Sequence, residues 1–305
     1  MNWIEIKLRV DGESAEAVAE VLQRYGHQGV SIEQDGIEQG KWDDGDIVPL
    51  PDKLTIRAYI PADKRAEDSK IRLENVLGHM SMMYPMPKPE YIAVKETDWA
   101  EAWKTHYHPI RIGKNLLIRP LWIDVELQSD DIELALDPGM AFGTGTHPTT
   151  QLCLIALEAR VQPAMRILDL GCGSGILSIA AVKLGAKSLL ATDIDPIAVK
   201  ATKENAEQNG VSEKITAEVG SLADLLSTSQ QFDLIVVNIL ARIIIEMCAQ
   251  GLGQVVRPGG IAIFSGIIDT QIDDVEQALR ETGLEPYQRR QQGDWITIEA
   301  RRPEN

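Results

Sequence analysis

The feature that most constrains the fold is the stretch Ile167-Leu-Asp-Leu-Gly-Cys-Gly-Ser-Gly175. An apolar run of strand length leads straight into glycines at alternate positions, and residues 176–184 then read as a helix. Gly171, Gly173 and Gly175 can take backbone angles closed to other residues and let a ligand approach the main chain. A strand, glycine loop and helix in this order belong at the carboxyl edge of a parallel sheet, where open α/β folds bind ligands. The chain around it agrees. From about Ala164, strands at 166–170, 189–193, 215–219, 232–238 and 260–265 alternate with helices at 176–184, 196–209 and 243–252. A helix over 270–282 and strands at 285–289 and 295–301, split by Gly293-Asp294, close the chain. The expectation is a Rossmann-like parallel sheet with an antiparallel hairpin at one edge.

The glycine spacing says which ligand the loop suits. A dinucleotide fingerprint places its third glycine at position 176, where Ile176 stands, which counts against a nicotinamide or nucleotide-sugar enzyme. The Gly-x-Gly-x-Gly form with a preceding Asp is the methyltransferase version. S-adenosylmethionine carries no pyrophosphate, so the loop, with Gly171 and Gly173, need only fit its amino-acid end. Asp193 ends the second strand, 24 residues after Asp169, where a carboxylate can accept hydrogen bonds from both ribose hydroxyls. Asp195-Pro196 is a helix start, a good N-cap before a good first helical residue. Asp169 has two equal readings: it contacts the cofactor's ammonium, or it holds the loop. Asn238, at the end of the fourth strand, offers a donor and an acceptor and could orient a nucleophilic amine. The segment Asp137-Pro-Gly-Met-Ala-Phe-Gly-Thr-Gly-Thr-His-Pro-Thr-Thr150 precedes the sheet and reads as a cofactor lid followed by a helix from about Thr149. His147 is as plausible a structural residue as a base.

Residues 1–96 follow a different pattern. Strands at 4–10, 30–33, 54–60 and 91–94 and helices at 13–25 and 64–83 run β-α-β-β-α-β, the order of a ferredoxin-like α+β domain. Residues 36–52 read as a loop. A connector over 97–122 holds Trp99, Trp103, His106, Tyr107, His108 and Trp122, and residues 123–305 make the catalytic domain. The 305 residues carry a net charge of −16, with −6 in residues 1–96 and −10 in the rest. A long basic nucleic-acid groove is therefore not expected. The acidity favours a basic partner, or serves solubility alone. No apolar run nears the roughly 20 residues needed to span a bilayer. The three cysteines show no metal-like spacing and read as reduced thiols in a cytoplasmic protein. No metal site is expected.

Taken together these residues resemble the PrmA family, the bacterial methyltransferases of large-subunit ribosomal protein eleven. The resemblance spans nearly the whole chain: Trp3-Ile-Glu, Asp98-Trp-Ala-Glu-Ala-Trp103, His108-Pro, the segment from Asp137 to Thr150, the glycine loop, Asp193-Ile-Asp-Pro196 and Asn238-Ile-Leu-Ala241. Phe142-Gly-Thr-Gly-Thr-His-Pro-Thr-Thr150 is its most specific part. It implies that Thr150, Gly171, Asp193 and Asn238 contact S-adenosylmethionine and that Phe142 and Thr144 belong to the covering loop. It implies that the N-terminal domain recognises the ribosomal protein, free or on the ribosome, and that lysine ε-amines and the N-terminal α-amine are methylated. Two departures stand out. Gly220-Ser221-Leu222 lacks the acidic residue that often follows the third strand, so the adenine contact is unassigned. Asn238-Ile-Leu lacks the aromatic of enzymes that methylate planar amides or bases, which points to an aliphatic amine. The alternative is an RNA or small-molecule methyltransferase with the same cofactor site.

Overall fold

The structure, a computed structural model, describes residues 3–11, 18, 19, 21, 22, 30–34, 53–80, 87–94, 108–136 and 145–304. Two compact units divide the described chain at His108 and Pro109.

In the first unit, strands β1 (Trp3–Val10), β2 (Val30–Gln34), β3 (Leu54–Pro61) and β4 (Glu90–Val94) form an antiparallel sheet in the order β2-β3-β1-β4. Val18, Ala19, Val21 and Leu22 are helical, and α1 (Ala66–Met80) is the second helix. That order is the split βαβ arrangement expected from the element sequence. Alternation decides the core: Ile6, Leu8 and Val10 of β1 pack with Ile56, Ile60, Val18, Leu22, Leu73 and Leu77. The expected loop at 36–52 lies outside the described residues.

The second unit opens with β5 (Ile110–Ile112), β6 (Leu116–Pro120) and β7 (Ile132–Leu136), a three-stranded sheet. The sequence reading takes the connector 97–122 as a helix and a hairpin; residues 110–120 do form a hairpin, and it is further paired to β7. Helix α2 (Pro148–Arg160) follows. The chain then alternates β8 (Arg166–Leu170), α3 (Ile176–Lys183), β9 (Ser188–Asp193), α4 (Pro196–Gln208), β10 (Ile215–Val219), α5 (Leu222–Thr228), β11 (Phe232–Asn238), α6 (Ala241–Ala249) and β12 (Val256–Ile268). Helix α7 (Ile272–Glu281) and strands β13 (Glu285–Gln292) and β14 (Trp295–Arg301) complete it.

The seven-stranded sheet runs β10-β9-β8-β11-β12-β14-β13. Only β14 runs against the other strands: it pairs antiparallel with β12 on one side and with β13 on the other, the last two strands forming the hairpin expected at one edge. Helices cover a parallel sheet on both faces, so its central strands must be apolar throughout. Leu168, Ile235, Val237, Phe264 and Ile298 are accordingly fully buried in one core. The winding reverses between β8 and β11. In doubly wound folds such a reversal makes the ligand crevice at the carboxyl ends of the flanking strands. Helix α5 was not anticipated, and β12 is longer than the 260–265 expected.

Candidate functional site

The crevice is built on the glycine loop. The chain leaves β8 buried and turns sharply at Gly171, whose N–H donates to the Thr192 carbonyl at 2.8 Å, while that of Cys172 reaches the same oxygen at 3.1 Å. The loop is thus stitched to the end of β9. Gly171 and Gly175 have φ of +84° and +80°. A Cβ at Gly171 would sit 2.7 Å from Ile239 Cγ2, and one at Gly175 would sit 3.0 Å from the Thr202 Cα. Both the backbone angle and the space demand glycine.

Two carboxylates flank the loop. Asp193, half-buried, accepts the Gly173 N–H on Oδ2 and the Asp195 N–H on Oδ1, each at 3.0 Å. Each oxygen retains capacity for another donor. Asp195 caps α4 through the Ile197 N–H at 2.8 Å, and Pro196 occupies its first position, as the sequence indicated. Asp169 is 1% exposed. Its Oδ2 accepts the Ser178 hydroxyl at 2.6 Å, while its Oδ1 is buried with no hydrogen-bond partner among the described residues. Burial, opposed by Ser178 and reinforced by the charge of Asp193, pushes this carboxyl up to about 7. An unpartnered buried carboxylate oxygen is costly and suits a cationic or hydrogen-donating ligand group. Both readings of Asp169 therefore keep a physical basis: one oxygen holds α3, and the other has nothing to hold.

Across the crevice, Asn238 Nδ2 donates to the Thr150 hydroxyl at 3.4 Å, joining residues 88 positions apart. Thr150 is fully buried in the first turn of α2. His147 caps that helix: its Nδ1 accepts the Thr149 N–H at 3.3 Å, and its ring meets Trp295 edge-on at 5.0 Å. Those contacts favour the structural reading of His147. Behind Asn238, Gly266 has φ of +83° and leaves only 2.1 Å between a would-be Cβ and the Ile239 carbonyl oxygen. The other two lid residues named from the sequence, Phe142 and Thr144, lie outside the described residues, as do Trp99, Trp103, His106 and Tyr107. Cys153, Cys172 and Cys248 are buried, and burial pushes each thiol up to about 12, so none is a nucleophile near neutral pH.

Sequence reading missed the residues that brace the loop from α4. Thr202 Oγ1 donates to the Gly173 carbonyl at 3.0 Å, and Asn205 Nδ2 to that of Ser174 at 2.9 Å. The available signal was two polar residues, one turn apart, within the buried stripe of an amphipathic helix. It also missed Gln151, whose Nε2 donates to the Thr146 carbonyl at 3.2 Å and whose Oε1 accepts from Gln292 at 3.2 Å. At the third strand's end, Asp224 accepts the Ser221 N–H at 2.8 Å and hydroxyl at 2.7 Å, so this acid caps α5.

A doubly wound sheet with this strand order, an acidic residue ending the second strand and a Gly-x-Gly-x-Gly loop after the first defines the Rossmann-like class I methyltransferase fold. The family model described as "Ribosomal protein L11 methyltransferase (PrmA)" matches residues 2–303. The chain belongs to this family. A ribosomal protein L11 methyltransferase of Chloroflexus aurantiacus is 40% identical over 331 residues, covering 99% of both chains. One from Desulfitobacterium hafniense is 41% identical over 310 residues, covering 99% of this chain and 98% of its own. The crystal structure of the ribosomal protein L11 methylase of Lactobacillus delbrueckii subsp. bulgaricus superposes with a TM-score of 0.59 at 40% identity. It covers 65% of this chain and all of that one.

Proposed function

We infer that this chain transfers methyl groups from S-adenosylmethionine to lysine ε-amines and the N-terminal α-amine of ribosomal protein L11. Membership of the L11 methyltransferase family over nearly the full length carries the reaction and the protein acceptor. The observation that carries the site is the meeting of the glycine loop, Asp193 and the Asn238–Thr150 pair at the carboxyl ends of β8, β9 and β11. A ribosomal protein substrate places the enzyme in the cytoplasm, and among the described residues no helix is long and apolar enough to cross a membrane.

S-adenosylmethionine, when bound, supplies a methyl group activated by its sulfonium. The chain's own residues supply placement. Asp193 is held by two backbone N–H groups with its remaining lone pairs available for a pair of vicinal hydroxyls. Gly171 and Gly173 admit the amino-acid end of the cofactor against bare main chain. The unpartnered Oδ1 of Asp169 fits a cationic group there. Asn238 has Nδ2 turned to Thr150, which leaves Oδ1 to accept an N–H of the acceptor amine and aim its lone pair. Phe142 and Thr144 belong to the covering loop in this reading. Alignment of amine and methyl supplies most of the rate, since displacement needs little else once the amine is neutral. The N-terminal domain, residues 1–96, recognises the protein substrate, which is taken free or on the ribosome.

The test is transfer of labelled methyl to purified ribosomal proteins by the wild type and by Asp193→Ala. The expected result is label on L11 alone, reduced roughly 10²-fold in the variant, the worth of two hydrogen bonds to a charged acceptor at about 1.5 kcal/mol each. Label on RNA, or on a different ribosomal protein, would overturn the acceptor. Undiminished transfer by the variant would overturn the site.

A further inference from the structure

Helix α4 turns Ala198, Val199, Thr202, Asn205 and Ala206 inward. Two members of that stripe, Thr202 and Asn205, are polar. They reach across to the glycine loop's main chain: Thr202 Oγ1 to the Gly173 carbonyl at 3.0 Å, with Cys172 Sγ at 3.2 Å, and Asn205 Nδ2 to the Ser174 carbonyl at 2.9 Å. Gly173 is consequently held on both sides, its N–H by Asp193 and its carbonyl by Thr202. Thr202 also packs where any side chain at Gly175 would have to go. A loop with three glycines in five residues has no side chains to fix its own conformation, and its freedom when unbound opposes ligand binding.

We propose that Thr202 and Asn205 are positioning residues that hold the glycine loop in its cofactor-receiving shape. Their loss then weakens S-adenosylmethionine binding without slowing the saturated enzyme. The inference rests on the reading of this loop as the cofactor site. The same helix carries its own control. Asn209, which ends α4, accepts the Ala135 N–H on Oδ1 at 3.0 Å and donates Nδ2 to the Ala135 carbonyl at 2.5 Å. That clamp fastens α4 to β7 and not to the loop.

The experiment titrates S-adenosylmethionine into the full-length protein by calorimetry and measures methyl transfer to L11 with each substrate varied in turn. Thr202→Val keeps the shape of the side chain and removes the donor; Asn205→Ala removes the other. Each should raise the cofactor Kd about tenfold, the worth of one hydrogen bond. The kcat at saturating cofactor and the KM for L11 should stay within about twofold, the signature of lost uniform binding. Thr202→Ser, which keeps the hydroxyl, should restore the wild-type Kd. Asn209→Ala should lower the melting temperature and leave the cofactor Kd alone. An unchanged Kd in a folded Thr202→Val or Asn205→Ala overturns the proposal, and either variant suffices if the other does not fold. A Kd raised equally by Asn209→Ala also overturns it, because the effect would then belong to the helix as a whole. Asp193→Ala is the reference. If it too retains the cofactor, the reading of the site has failed; if it alone loses the cofactor, only the positioning role has.

Discussion

The second unit holds two carboxylates in opposite ways at the two ends of its sheet. Glu299 of β14 is fully buried among donors: Arg290 Nε at 2.9 Å, Arg160 Nε at 2.6 Å and the Tyr287 hydroxyl at 3.1 Å all donate to it. Two guanidinium groups neutralise its charge. Asp193 of β9 is half-exposed and held, among the described residues, by two neutral main-chain N–H groups. The first arrangement is closed off by burial and can only stabilise. The second is equally fixed in orientation yet keeps lone pairs and its charge. A carboxylate held by donors that do not neutralise it is a binding group; one held by cations is a structural one.

Substitution can break this comparison. Glu299→Ala removes the buried carboxylate that Arg290 and Arg160 both hold and should cost about 3–5 kcal/mol, read as a large fall in melting temperature. Methyl transfer per folded molecule should persist. Asp193→Ala should do the reverse, melting close to the wild type while losing transfer. If Glu299→Ala lost transfer at an unchanged melting temperature, the division of labour would be wrong.

A smaller effect sharpens the role of the loop's geometry. Gly175 and Gly283 have nearly the same φ, +80° and +85°, but a Cβ at Gly283 meets nothing within 4 Å. Gly283→Ala should therefore show left-handed strain alone, about 1–2 kcal/mol in thermal unfolding. Gly175→Ala adds a collision with Thr202, should cost more, and should also weaken cofactor binding in calorimetry. Equal losses in the two variants would mean that the loop yields to the intruding atom.

A pH-dependent effect concerns Asp169, the third carboxylate, which has one oxygen bonded and one without a partner among the described residues. Its native pKa of about 7 lies above its ordinary 3.8. The folded state thus holds this proton more tightly than the unfolded one. The associated stability is complete below the ordinary value and is lost as pH rises through about 7. Asp169→Asn should flatten that part of the stability curve measured by denaturant titration. A cationic group at Oδ1 favours the charged carboxylate, so cofactor affinity of the wild type should rise across the same interval. Parallel curves for wild type and variant would remove Asp169 from both roles.

Much of this arrangement was legible before any coordinates. The alternation of strands with helices gave the parallel sheet, Gly293-Asp294 marked the hairpin, and Asp195-Pro196 marked the start of α4, because each is written within a few adjacent residues. The N-terminal order of strands and helices likewise led to the sheet β2-β3-β1-β4. What escaped was short or distant. Helix α5 has seven residues, too few for a periodic signal. The hairpin of β5 and β6 was read within the connector, but its pairing to β7 was not. Thr202 and Asn205 sit in an ordinary amphipathic pattern, and nothing local says that their partners lie about 30 residues earlier.

The sequence by itself determined the class of fold, the place of the ligand loop and the acid at the end of β9. These follow from backbone preferences and hydrophobic periodicity, which act between neighbours in the chain. Only the tertiary structure decided how those groups are held. It closed the Asn238–Thr150 pair, gave His147 to the cap of α2, left one oxygen of Asp169 without a donor among the described residues and set α4 against the glycine loop. Each of these is a bond, or a missing bond, between residues that only packing brings together, and a hydrogen bond of about 3 Å leaves no periodic trace in sequence.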